Sequence, residues 1–95
     1  MTDTQRASSG AATPLPDLVL YTRDGCHLCD DARDVVQLLL AERGGSAPRL
    51  VERDITTNEE WHRQFLTTIP VLELGDRRLE LATSAAKIRR FMDGA

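Results

Sequence analysis

The stretch Tyr21-Thr22-Arg23-Asp24-Gly25-Cys26-His27-Leu28-Cys29-Asp30 decides how the rest of this chain is read. Cys26 and Cys29 are the only cysteines in the protein, and they stand three residues apart. A short apolar run, Leu18-Val19-Leu20-Tyr21, precedes them, and a helical pattern follows. A Cys-x-x-Cys pair at a strand-to-helix turn points to thiol–disulfide exchange. Two thiols at this spacing close a small ring on the first helical turn. The first sulfur then lies near unpaired N–H groups and the positive end of the helix dipole, which favour its thiolate. Because thiolate is the attacking species, the same placement makes Cys26 the attacker.

Two other readings use the same residues. A Cys-x-x-Cys can be half of a four-ligand zinc site, but the remaining ligands must come from elsewhere. Only His27 and His62 are available as soft ligands, and His27 lies inside the knuckle itself. The pair can also be a packing detail, since free cysteine is among the most buried residue types. Redox chemistry with no metal is the favoured reading.

The 95 residues allow one domain. Residues 1–16 are rich in Ser, Thr, Ala and Gly, end in Pro14-Leu15-Pro16 and show no apolar period, so a disordered N-terminal tail is expected there. That leaves residues 17–95 for a single modest core. The tail has no secretory h-region and no later stretch approaches a membrane span. A net charge of −3 with both signs scattered argues against nucleic-acid and membrane partners. A cytoplasmic location is expected, where a Cys-x-x-Cys is catalytic or metal-binding rather than a permanent staple.

Taken in order, Asp17 to Thr22 reads as a strand buried on both faces. Asp24-Gly25 makes the turn. The apolar positions Leu28, Ala32, Val35, Val36, Leu39 and Leu40 form a helical stripe that Gly44-Gly45 ends. Arg49 to Ile55 reads as a ragged edge strand, which completes a right-handed βαβ unit. Thr57-Asn58-Glu59-Glu60 fits a capping box for a short helix with Trp61 and Phe65 at i and i+4, pointing to the core. Val71 to Leu74 and Arg77 to Leu81 are joined by the hairpin signal Gly75-Asp76, in a register that sets Leu72 opposite Leu79 and Glu73 opposite Arg78. Thr83 or Ser84 caps a last helix with Ala85, Ile88, Phe91 and Met92 on one face. The expectation is an α/β fold, β-α-β-α-β-β-α, with a four-stranded mixed sheet and three helices.

That order, with Cys-x-x-Cys at the first strand-to-helix junction, is similar to the thioredoxin fold in its glutaredoxin-sized form. Leu20 to Asp30, with Gly25-Cys26-His27-Leu28-Cys29-Asp30 at its centre, and Thr68-Ile69-Pro70-Val71-Leu72 resemble a small glutaredoxin-like family. The resemblance spans residues 17–92. It implies that Cys26 is the nucleophile and Cys29 the resolving thiol. It also implies that Pro70 follows a cis bond beside the disulfide, and that the Ile69 backbone pairs an extended substrate. Arg23 stands where glutaredoxins usually carry a lysine that favours thiolate and glutathione. His27, directly after Cys26, is a further candidate to favour its thiolate.

The departures are equally specific. His27-Leu28 replaces the Pro-Tyr or Pro-Phe that glutaredoxins usually place between the cysteines. Leu81-Ala82-Thr83-Ser84-Ala85 carries neither the double glycine nor the aspartate with which they hold glutathione. Thr83 and Ser84 are the remaining candidates for that contact, through backbone N–H groups at the helix start. The resulting expectation is a monomeric thiol–disulfide oxidoreductase acting on protein disulfides without a resident cofactor. Glutathione would be a weak co-substrate, and a thioredoxin reductase-type flavoprotein the other electron source. The alternative is a non-catalytic binding or adaptor module, or one that holds zinc or an iron–sulfur cluster between chains.

Overall fold

The run Leu18-Val19-Leu20-Tyr21 becomes the central strand of the sheet. The computed structural model describes residues 16–94, so the tail expected over residues 1–16 lies, apart from Pro16, outside the described residues. Strand β1 (Leu18–Thr22) is buried along its whole length. On one side it pairs in parallel with β2 (Leu50–Asp54), from Leu18 opposite Leu50 to Thr22 opposite Asp54. Helix α1 (His27–Arg43) makes the crossover between them. On the other side β1 pairs antiparallel with β3 (Val71–Leu74), and β3 with β4 (Arg77–Leu79), giving the order β2-β1-β3-β4. Helix α2 (Glu59–Phe65) follows β2, and helix α3 (Ala85–Asp93) closes the chain. The expected four-stranded mixed sheet with three helices is the fold observed.

Alternation along β1 divides the interior into two layers. Side chains two apart on a strand share a face. Leu18 and Leu20 join Leu72, Val36, Leu39, Ile88 and Phe91 in the core under α1 and α3. Val19 and Tyr21 join Val71, Ile55 and Phe65 under α2. The β3–β4 hairpin takes the expected register, with Leu72 opposite Leu79 and Glu73 opposite Arg78. Gly75 opens its tight turn at φ +64°, a value that glycine adopts at little cost.

Several local expectations shift by a residue or a surface. The stripe of α1 is centred on Cys29, Ala32, Val36 and Leu39; Leu28, about 100° from Cys29, is 51% exposed. On α3, Ile88, Phe91 and Met92 face inward, but Ala85 in the first turn is exposed. Asn58 rather than Thr57 caps α2, accepting the Trp61 N–H at 3.0 Å. Thr57 belongs instead to a 3-10 turn over Ile55–Thr57, where its hydroxyl donates to the Asp54 carbonyl at 2.7 Å. Ile55 is fully buried in that turn rather than extending the strand. Trp61 is half-buried, meeting Tyr21 edge-on at 5.8 Å, while the Arg53 guanidinium lies 5.2 Å over its ring.

Candidate active site

Strand β1 ends at Thr22, and the chain must turn sharply to begin α1. Gly25 makes that turn at φ +79°, a region where a side chain is strained. The Cys26 N–H donates back to the Arg23 carbonyl at 3.2 Å. Cys26 itself is extended (φ −94°, ψ 103°) and is the N-cap of α1. Its sulfur accepts the backbone N–H of Cys29 at 3.1 Å, and its carbonyl accepts the Asp30 N–H, also at 3.1 Å. Cysteine thus occupies the position where serine or asparagine usually satisfies a free helix donor.

The two cysteines are joined as a disulfide, with Cα atoms 5.2 Å apart. They are unequal. Cys26 is partly accessible, whereas Cys29 is fully buried on the inward stripe of α1. Of the two, Cys26 is therefore the one open to a second molecule. On reduction, the N–H that now meets the Cys26 sulfur is aimed at a thiolate, and a hydrogen bond to an ion is about twice as strong as a neutral one.

Charges around the knuckle are partly spoken for. Asp30 accepts from Arg33 at 3.0 Å, and Arg33 also donates to Glu52 on β2 at 2.8 Å. Glu52 and then Asp30 hold the Arg33 guanidinium charged beyond its ordinary range. The acid that follows Cys29 in the chain is thereby offset by a cation. Arg23 is exposed at the end of β1. Its charge is felt by Asp54, whose carboxyl is held below the usual range chiefly by the Thr56 hydroxyl and N–H, with Arg23 adding to the effect. His27 is the first residue of α1 and is exposed.

The second half of the site comes from the chain before β3. Tyr21 stands opposite Val71, so Pro70 lies at the end of the sheet where β1 gives way to the cysteine turn. The Ile69–Pro70 bond is cis, and Pro70 is buried. The Ile69 N–H already donates to the Phe65 carbonyl at 3.0 Å, which leaves its carbonyl for any pairing with an extended partner. Leu81 and Ala82 are tied to the same segment: the Leu81 N–H donates to the Thr68 carbonyl and the Ala82 N–H to the Pro70 carbonyl, both at 2.8 Å. This brings Thr83 and Ser84 to the same pole. Of the two expected caps, Ser84 is the one used, its hydroxyl accepting the Lys87 N–H at 3.3 Å. Thr83 is exposed, and its N–H turns back to the Leu81 carbonyl at 2.7 Å.

Cys26, Cys29, Arg23, His27, Ile69, Pro70, Thr83 and Ser84 therefore come from three separate segments that meet at one end of the sheet. Leu81 was missed by sequence reasoning, because an apolar residue at a strand end carries no sign of its backbone conformation. It is 47% exposed and is the one non-glycine residue with positive φ (+51°) among the described residues. Two cavities, one of about 300 Å³ beside Leu79 and Phe91 and one of about 150 Å³ beside Pro48 and Leu74, involve none of these groups. Among the described residues, no cluster of three or more His, Cys, Asp or Glu converges as a metal-holding group.

The same architecture recurs in solved structures. A structural-genomics target protein from X. campestris, XcR50, superposes with a TM-score of 0.65 at 30% identity, covering 82% of this chain and 97% of its own. The solution structure of Ne2328 from Nitrosomonas europaea does so with a TM-score of 0.65 at 27% identity, covering 87% and 96%. No curated protein matches the chain. The family model of the glutaredoxin-like domain (DUF836) matches residues 17–92, from the first residue before β1 to the last turn of α3. With the Cys-x-x-Cys disulfide at its first strand-to-helix turn, this chain belongs to the glutaredoxin-like domain family.

Proposed function

We propose that this protein is a thiol–disulfide oxidoreductase that cycles between the Cys26–Cys29 disulfide and the dithiol. The observation that carries this reading is the placement of a partly exposed Cys26 at the N-cap of α1, its sulfur bonded to the Cys29 N–H, with Cys29 buried one turn behind it. In the reducing direction, the Cys26 thiolate attacks one sulfur of a partner disulfide. The partner's S–S bond breaks, a Cys26–partner bond forms, and the other partner sulfur leaves as thiolate and takes up a proton. Cys29 then loses its proton and attacks the Cys26 sulfur. That step restores the intramolecular disulfide and releases the second partner thiol. Two electrons pass from the Cys26–Cys29 pair to the partner. No metal or organic cofactor enters either step.

The oxidised pair is returned to the dithiol by a thiol reductant, either two glutathione molecules or the dithiol of a flavoprotein reductase. The second is favoured by the residues at the start of α3. A glutathione site needs an acceptor for the ligand's ammonium group, and Leu81-Ala82-Thr83-Ser84 offers no carboxylate, while the Ser84 hydroxyl is committed to capping. Arg23 and the first N–H groups of α3 remain as donors to carboxylates. Disulfide-bearing proteins are the partners this exposed rim suits. Among the described residues, no helix is long and apolar enough to cross a membrane.

The test is trapping. Cys29→Ser keeps the attacking sulfur and removes the resolving one, so it should accumulate mixed disulfides through Cys26 and lose dithiol turnover at least a hundredfold. Cys26→Ser should form none. Mixed disulfides through Cys29 in the Cys26→Ser protein, or full turnover in either variant, would refute the assigned roles.

A further inference from the structure

We propose that Leu81 is a specificity-determining residue of the redox site, selecting an extended protein segment that carries an apolar side chain beside its disulfide. The inference rests on the oxidoreductase reading and names the substrate class for that same site.

Three observations support it. Leucine is held at φ +51°, in the left-handed region that glycine, and to a lesser degree asparagine and aspartate, enter readily. The conformation is enforced from both sides: the Leu81 N–H is bound to the Thr68 carbonyl, its carbonyl receives the Thr83 N–H, and the next residue is bound to the Pro70 carbonyl. The side chain displayed by this strained turn is nonetheless 47% exposed, so the strain is not offset by burial of leucine within the chain. A glycine at the same place would remove both the strain and the exposed apolar surface. Strained residues with no internal return cluster where a ligand makes the missing contact.

The location says which ligand. Leu81 is tethered to Thr68-Ile69-Pro70, the segment that register places at the cysteine end of β1, so a chain pairing with the Ile69 carbonyl, which takes no backbone N–H among the described residues, runs past it. Full burial of the remaining leucine surface by an apolar partner side chain corresponds to roughly tenfold in affinity. A small polar disulfide has nothing to place there.

The experiment compares kcat/KM for two disulfides in the full-length protein. One is a linear peptide disulfide with leucine next to each cysteine, and the other is hydroxyethyl disulfide. In Leu81→Gly and Leu81→Asn, which accept positive φ, and in Leu81→Ala, which keeps the strain, the peptide-to-small-disulfide ratio should fall about tenfold, mainly through the KM for the peptide. Leu81→Met should restore most of it. Leu81→Gly should also raise the melting temperature, which shows that the turn is intact. An unchanged ratio in folded, active variants would overturn the role of Leu81 alone. A wild-type protein inactive on both disulfides would instead remove the oxidoreductase reading, and this proposal with it.

Discussion

Single residues in this protein do work that their side-chain chemistry predicts only once their neighbours are known. Tyr21 is the clearest case outside the cysteines. Its ring is buried against Phe65 at 4.4 Å, while its hydroxyl donates to Glu73 at 3.0 Å and accepts from Arg53 at 3.2 Å. Burial first, then the hydrogen bond to Glu73 and its charge, raise the tyrosine's pKa above 10.0, with Arg53 opposing. The folded chain therefore keeps this proton longer than the unfolded chain does. That contribution to stability is fully present below about pH 10 and is lost as pH rises through the raised value. Tyr21→Phe cannot ionise, so its stability should fall less steeply than wild type in denaturant melts above pH 10. The same slope in both proteins would show that Tyr21 is not the group responsible.

Elements are held at their ends by side chains that bind free helix donors, and three of the caps are chemically distinct. Asn58 opens α2, Ser84 opens α3 and Cys26 opens α1. The first two use an oxygen acceptor; the third places a disulfide sulfur in the same geometry. Ser84→Ala removes the acceptor for the Lys87 N–H and should cost about 1 kcal/mol, which for a domain of this size is a fall in melting temperature of about 4–8 °C. Thr83→Ala should leave stability nearly unchanged, since the hydrogen bond identified at Thr83 is made by its backbone. Equal losses in the two variants would reverse the choice of cap. The hairpin is held differently, by cross-strand pairing: Glu73 takes a salt bridge from Arg78 at 2.9 Å, and Arg78 also lies 5.0 Å from the Phe65 ring. Such a half-exposed pair contributes little by itself, and its main effect is to fix the register.

At the scale of the molecule, the sheet is a partition with a core on each face, and β1 and β3 belong to both cores. Leu72 sits in the centre of the α1–α3 face, fully buried and opposite both Leu20 and Leu79. Leu72→Ala leaves a cavity that these strands cannot close, and should destabilise the fold by about 2–5 kcal/mol. Against a typical total of about 5–15 kcal/mol, that is a large share. Urea melts should show a lower midpoint with an unchanged slope. A loss below about 1 kcal/mol would mean that the core repacks around the gap. Further tethers join α1 to α3 at the far pole, where Arg43 pairs with Asp93 and Arg89 with Glu42. They leave the cysteine end free of cross-links between the two helices among the described residues.

The sequence by itself determined everything carried by periodicity, spacing and turn chemistry. The apolar run before Cys26, the stripe after it, and Gly75-Asp76 between two alternating runs led to the element order, the mixed sheet and even the hairpin register. The Cys-x-x-Cys at a strand end marked the candidate site, because that local pattern needs no distant partner to be meaningful. What the tertiary structure alone decided was which surfaces are covered and which backbone groups are used. Leu28 and Ala85 lie within or beside apolar stripes, yet both remain exposed. The Ile69 N–H is consumed by Phe65, and Ser84 rather than Thr83 becomes the cap, because these outcomes depend on hydrogen bonds set by the packing of α2 and α3. Leu81 is the sharpest instance. Nothing in Leu-Glu-Leu-Ala announces a left-handed residue, and the conformation exists because bonds to Thr68 and Pro70, eleven or more residues earlier in the chain, impose it.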